Sequence, residues 1–174
     1  MLKIKKLELY GAKLYYPDKS IQHAGIAYGI RGIAGNLLVG LPYGTHGYFG
    51  REALTSNVSA VTGACLFARR EIYEKVCFMD EELFKVAFND VDFCLKVREK
   101  NLLVVYNPYV ELIHYESKTR GYEDTEEKKA RFEGEKKNFQ EKWNNLLEIT
   151  DPYYNKNFSR NNANFMIYGE KNDW

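Results

Sequence analysis

Two short runs hold the side chains of this sequence best suited to chemistry: Asn89-Asp90-Val91-Asp92-Phe93-Cys94, and His114 followed by Glu116, Ser117, Lys118 and Arg120. The first opens a predicted helix. A helix N-terminus is electropositive, so carboxylates placed there stay ionised and serve as acceptors or bases. The second leaves the end of an apolar strand. A histidine at a strand end, with cations just beyond it, is suited to holding a metal and a phosphate at a cleft rim. Together they point to transfer chemistry.

Each of these residues also has an ordinary reading. Asp90 and Asp92, like Asn89, could do no more than cap the free amides of the helix. His114 could be a satisfied core or surface histidine, and Lys118 and Arg120 could be solvated. His23, in Gln22-His23-Ala24-Gly25, and His46, among loop glycines, carry weaker signals still.

The elements that must position these residues are legible in outline. Leu7 to Tyr16 and Ile21 to Tyr28 are rich in β-formers and flank Pro17-Asp18-Lys19-Ser20, which predicts a hairpin. Glycine then recurs at 25, 29, 32, 35, 40, 44, 47 and 50, too often for a regular element, so a long loop is expected, acting as a lid or an acceptor loop. Those glycines fit no phosphate-cradling pattern. Val58 to Phe67 reads as a strand and Arg70 to Val76 as a short helix. Thr62-Gly63-Ala64 places three small residues together, either for close approach of a ligand or for tight packing on a neighbouring element.

A helix from Asp90 to Lys100 is followed by β-rich segments at Leu102 to Tyr106 and Val110 to Ile113, divided by Asn107-Pro108, where proline should end regular pairing. Glu123 to Leu147 is the longest helix candidate, with Phe132, Phe139, Trp143 and Leu146 along one stripe. Residues 1–150 thus form the body, and an Asn- and Tyr-rich tail, 151–174, either wraps over it or frays.

Composition limits the classes of function. At 174 residues the chain is long enough for one domain. Its 25 Lys and Arg against 24 Asp and Glu create no field for nucleic acid or acidic lipid. Cys65, Cys77 and Cys94 show no zinc spacing and read as reduced core thiols of a cytosolic protein. No run approaches the roughly 20 apolar residues needed to span a bilayer. The expected location is the cytoplasm, with attachment to the inner face of a membrane only as a peripheral protein.

An ordered set of motifs carries a family resemblance. Tyr10-Gly11-Ala12-Lys13-Leu14-Tyr15-Tyr16-Pro17-Asp18, Ile21-Gln22-His23-Ala24-Gly25, Val61-Thr62-Gly63-Ala64-Cys65, Phe88-Asn89-Asp90-Val91-Asp92-Phe93-Cys94 and His114-Tyr115-Glu116-Ser117-Lys118-Thr119-Arg120-Gly121 occur in that sequence. The series resembles the C-terminal half of bacterial family-two glycosyltransferases of the GT-A fold, of the rhamnosyltransferase-like, O-antigen or cell-wall polysaccharide type. The resemblance implies an α/β fold, a partial GT-A arrangement with a mixed sheet flanked by helices.

The implied activity is inverting transfer of a sugar from a UDP- or dTDP-linked donor to a saccharide or lipid-linked acceptor. Asp90 would be the catalytic base, taking the proton of the acceptor hydroxyl as that oxygen attacks the anomeric carbon. A carboxylate is a weak base towards an alcohol, but late proton transfer from a positioned nucleophile suffices. Thr62, Gly63, Ala64 and Asn89 would lie beside donor sugar and acceptor, and Asp92 would orient the acceptor or the helix end. His114 would bind a divalent metal, Mn or Mg, weakly. Lys118 and Arg120 would neutralise the donor diphosphate.

The same resemblance implies an N-terminal nucleotide-binding half ending in an Asp-x-Asp-like metal motif, which this sequence lacks. Three readings follow: one part of a split or truncated transferase whose other half is a separate polypeptide, an inactive remnant, or a carbohydrate-binding or interaction module. A lone half should expose a sheet edge and an apolar face, so self-association is also expected.

Overall fold

A computed structural model describes residues 7–115 and 125–167. Nine residues, Leu7–Tyr15, form β1, the strand around which the rest assembles. Leu9, Ala12 and Leu14 are buried, while Pro17 and Asp18 turn the chain: the Asp18 carboxylate accepts from the backbone amide and hydroxyl of Ser20. The chain returns as β2 (Ile21–His23), antiparallel to β1. The predicted hairpin is therefore present, but its second arm is shorter than expected. Gly25, with φ at +96°, breaks the run, and Ile26–Tyr28 forms β3 in a separate two-stranded sheet with β4 (Ala34–Asn36).

The glycine-rich stretch is thus not one long loop. Up to Leu38 it is packed, with Ile30, Ile33, Leu37 and Leu38 in the core, and Gly35 lies against Ile30 where a Cβ would meet it at 2.6 Å. Val58 to Phe67 is likewise not a single strand. β5 (Ser56–Asn57) pairs with the late strand β7 (Leu103–Ile113), Ala60 bridges to Ile26, residues 63–65 make a single 3₁₀ turn, and β6 (Leu66–Ala68) pairs with β1. Helix α1 (Arg70–Lys75) follows, and Cys77 beyond it is exposed, which removes it from the expected set of core thiols.

Helix α2 (Asn89–Glu99) buries Val91, Phe93, Cys94, Leu95 and Val97. It leads into β7 (Leu103–Ile113), which lies parallel to β1. Pro108 does not end this strand. Pairing jumps from Ala12 opposite Asn107 to Lys13 opposite Glu111, so the proline sits in a bulge and the ladder resumes. The five-stranded sheet runs β2-β1-β7-β5, with β6 also on β1.

Helix α3 (Glu126–Lys142) and the short α4 (Asn144–Leu147) complete a mixed α/β fold, a mixed sheet flanked by helices. Thr125 caps α3 by accepting from the Lys128 amide. The predicted stripe is the packed face: Phe139 and Trp143 are buried, and Phe132 and Phe139 lie against Phe88. The described part of the tail wraps over the body. Asp151 accepts from the Tyr28 amide, the Arg160 carbonyl accepts from the Arg31 amide, and Phe158 and Phe165 enclose Tyr48 and Tyr154. No helix among the described residues is long and apolar enough to cross a membrane.

Candidate functional site

The turn Val61–Ala64 and the start of α2 meet at the surface, and each backbone amide of that turn is taken by a side chain. Val61 donates to the Cys94 thiol sulfur (3.5 Å), Thr62 to His23 Nε2 (3.4 Å), Gly63 to Asp90 Oδ2 (2.7 Å) and Ala64 to Thr62 Oγ1 (3.3 Å). Four consecutive donors are thereby satisfied by side chains. Gly63 and Ala64 are exposed, and Thr62, Asn89 and Asp90 are half-buried.

Asp90 does not cap the helix in the expected way. The residue before α2 is Phe88, in the left-handed region at φ +64°, and no side chain caps the helix there. Asp90 Oδ1 accepts instead from the next amide, Val91 (2.8 Å), while Oδ2 reaches across to Gly63. A carboxylate has about four acceptor positions, so two remain for another partner. The strained start of the helix is held from α3. Buried Glu135 accepts from the amides of Val86 and Ala87, and Phe132 and Phe139 pack on the Phe88 ring.

Asp92 faces the other way. It has no exposed surface, its Oδ1 accepts from Trp143 Nε1 (3.0 Å) and Lys142 Nζ (2.8 Å), and Lys96 Nζ lies 3.4 Å from Oδ2. It therefore presents no surface in this structure. Its contacts orient the helix, tying α2 to the end of α3.

His114 follows β7, its amide bound to the Tyr15 carbonyl. Its Nδ1 lies 2.8 Å from Gln22 Oε1, an acceptor, so Nδ1 is the donor in this contact. No described hydrogen bond joins His114 to Asp90. They are related through β2, where Gln22 holds His114 and the next residue, His23, holds Thr62. Among the described residues no group of three or more His, Cys, Asp or Glu side chains could hold a metal ion. His114 alone does not make a metal centre. Lys118 and Arg120 lie outside the described residues.

His23 carries only a weak signal in the sequence, yet it is 1% exposed and central to the turn. The available signal was a histidine inside an apolar, strand-forming run ending in glycine. Gln22, Asn36 and Glu135 gave no comparable signal, because their partners lie far away along the chain.

No family model matches the chain, and no solved structure matches it. Among curated proteins, the uncharacterized protein y4gI of Sinorhizobium fredii (strain NBRC 101917 / NGR234) is 45% identical over 157 residues, covering 90% of this chain and 17% of the relative. The O-antigen biosynthesis protein RfbC of Myxococcus xanthus is 39% identical over 111 residues, covering 63% of this chain and 9% of the relative. The chain spans less than a fifth of the length of these relatives.

Proposed function

We propose that this chain acts in polysaccharide biosynthesis as the acceptor and catalytic-base side of an inverting glycosyltransferase of GT-A type. The observation that carries the reading is Asp90 at the head of α2, fixed by Gly63 at 2.7 Å beside an accessible turn of small residues. The likeness to a protein named for O-antigen biosynthesis supports the class of product.

The acceptor hydroxyl would lie against Thr62, Gly63, Ala64 and Asn89 and donate to Asp90. As its oxygen attacks the anomeric carbon of the donor sugar, the carbon–oxygen bond to the diphosphate breaks and the proton passes to the Asp90 carboxylate. Such a base contributes about 10²–10⁴-fold when its position is fixed in advance. The two amides on Asp90 supply that fixity, and Asp92 steadies the helix behind it.

The donor would be a UDP- or dTDP-linked sugar and the acceptor a saccharide or a lipid-linked one. Lys118 and Arg120 would meet the diphosphate. A divalent metal, Mn or Mg, would be bound weakly, with His114 Nε2 supplying one ligand and the remainder coming from outside the described residues. A separate nucleotide-binding half would complete the donor site, and self-association would cover the exposed Tyr109, Val110, Leu112 and Ile113 of β7. Sedimentation at high concentration should then show dimers.

The test is transfer of labelled sugar from UDP- and dTDP-linked donors to lipid-linked saccharide by the purified chain, alone and with a supplied nucleotide-binding half. Transfer that is lost in Asp90→Asn, with the fold kept, is the expected result. Equal transfer by the variant, or none under either condition, overturns the reading. Calorimetric titration with UDP and dTDP, with and without Mn and in His114→Ala, tests the donor side separately.

A further inference from the structure

We infer that His23 is a positioning residue for the Asp90 site, holding the Thr62–Gly63 backbone in the register at which the Gly63 amide meets the Asp90 carboxylate. The functional meaning of that register rests on the reading of Asp90 above; the geometry does not.

The tautomer follows from the partners. His23 Nε2 lies 3.3 Å from the Gly25 amide and 3.4 Å from the Thr62 amide, and both are donors, so Nε2 must be the bare nitrogen. Nδ1 then carries the proton, and it faces an acceptor, Asn36 Oδ1, at 2.5 Å. All three contacts agree on one neutral form. Burial supports it, pushing the ring's pKa down to about 4. No charged group contributes to that displacement, which comes from burial against only the Asn36 hydrogen bond.

The arrangement joins three separate stretches of chain, at residues 23–25, at Asn36 and at Thr62. β2 carries His23, β4 carries Asn36, Gly25 lies between β2 and β3, and Thr62 opens the turn. Gly25 and Thr62 depend on the imidazole as acceptor, and the next amide after Thr62 is the one that Asp90 takes. An aromatic ring of similar size without nitrogen would keep the packing and release the amide. A side-chain amide could accept from it again.

Two measurements on the full chain decide this. Long-range ¹H–¹⁵N spectra at neutral pH should show His23 neutral with Nδ1 protonated. Hydrogen exchange at Thr62 and Gly63 should quicken by about tenfold or more in His23→Phe, with His23→Gln recovering part of the protection. The turn in which Leu83 donates to Asp80 serves as reference and should not change, because general loosening would affect it too. If transfer is active, kcat should fall in His23→Phe while the donor KM holds. A protonated Nε2, or unchanged exchange at Gly63, overturns the inference whatever the activity. Absence of transfer in the unmodified chain counts against the functional reading and leaves the exchange result to stand. Should His23→Phe fail to fold, the tautomer and the His23→Gln exchange decide.

Discussion

Trp143 at the end of α3 donates its indole N–H to the buried carboxylate of Asp92, 3.0 Å away and 51 residues earlier in the chain. The bond joins the two longest helices, and Lys142 and Lys96 set positive charge beside the same carboxylate. A buried charge is tolerable only when it is compensated in this way.

Removing the acid leaves the Trp143 indole without its acceptor, while Lys142 keeps Asp80 (2.9 Å) and Lys96 keeps the Phe78 carbonyl (2.6 Å). Asp92→Ala should lower stability by about 1–3 kcal/mol, the usual cost of leaving a buried donor without its acceptor. Trp143→Phe, which loses one hydrogen bond to a charged group, should cost about 1–3 kcal/mol. Urea unfolding of the two single variants and the double variant would check this, with the double falling short of the sum.

Gly11 is a packing requirement rather than a hinge. A Cβ there would lie 2.4 Å from Val61 Cβ, and the strand is fixed on both sides, by Leu66 of β6 and Tyr106 of β7. Gly11→Ala should destabilise by about 1–3 kcal/mol as an overpacked core does. Adding Val61→Ala should return part of that loss, measured as a shift in the urea midpoint.

Gly63 is subject to a similar limit at the site itself. A Cβ would stand 3.3 Å from Asp90 Cβ, close enough to displace the carboxylate by a few tenths of an ångström. Its backbone is not in the left-handed region, so the fold should survive. Gly63→Ala should keep the melting temperature within a few degrees and slow sugar transfer by about 10–100-fold, since small misplacements of a catalytic group are costly.

His23 makes a prediction in pH. Its pKa falls from 6.5 to about 4 on folding, so between those values the unfolded chain binds more protons than the folded one. Stability should therefore be full above pH 6.5 and decline as the pH falls towards 4, by about 3 kcal/mol from this group. Urea unfolding at pH 7, 5.5 and 4.5 would show the decline, and His23→Phe should be flatter across the same range.

How much was legible in the sequence depends on how local each determinant is. The β1–β2 turn, α2, and α3 with its apolar stripe follow from spacing within a few residues, because turn dihedrals and helix periodicity are set by near neighbours, whereas the meeting of Asp90 with Gly63, 27 residues earlier, is not written in local spacing. Local pattern stops being informative where pairing becomes long-range. Val58 to Phe67 has strand composition, yet it divides among β5, a bridge to Ile26, a turn and β6, because distant partners compete for its backbone. Asp90 and Asp92 look alike in sequence, two residues apart at one helix end. Only the tertiary structure sets one at the surface against Gly63 and the other beneath Trp143, since which side of a helix is covered depends on where α3 comes to rest. His23 shows the same division. Its side chain is ordinary in sequence and becomes a linchpin only when Asn36, Gly25 and Thr62 are folded around it, each satisfying a polar group that burial has cut off from water.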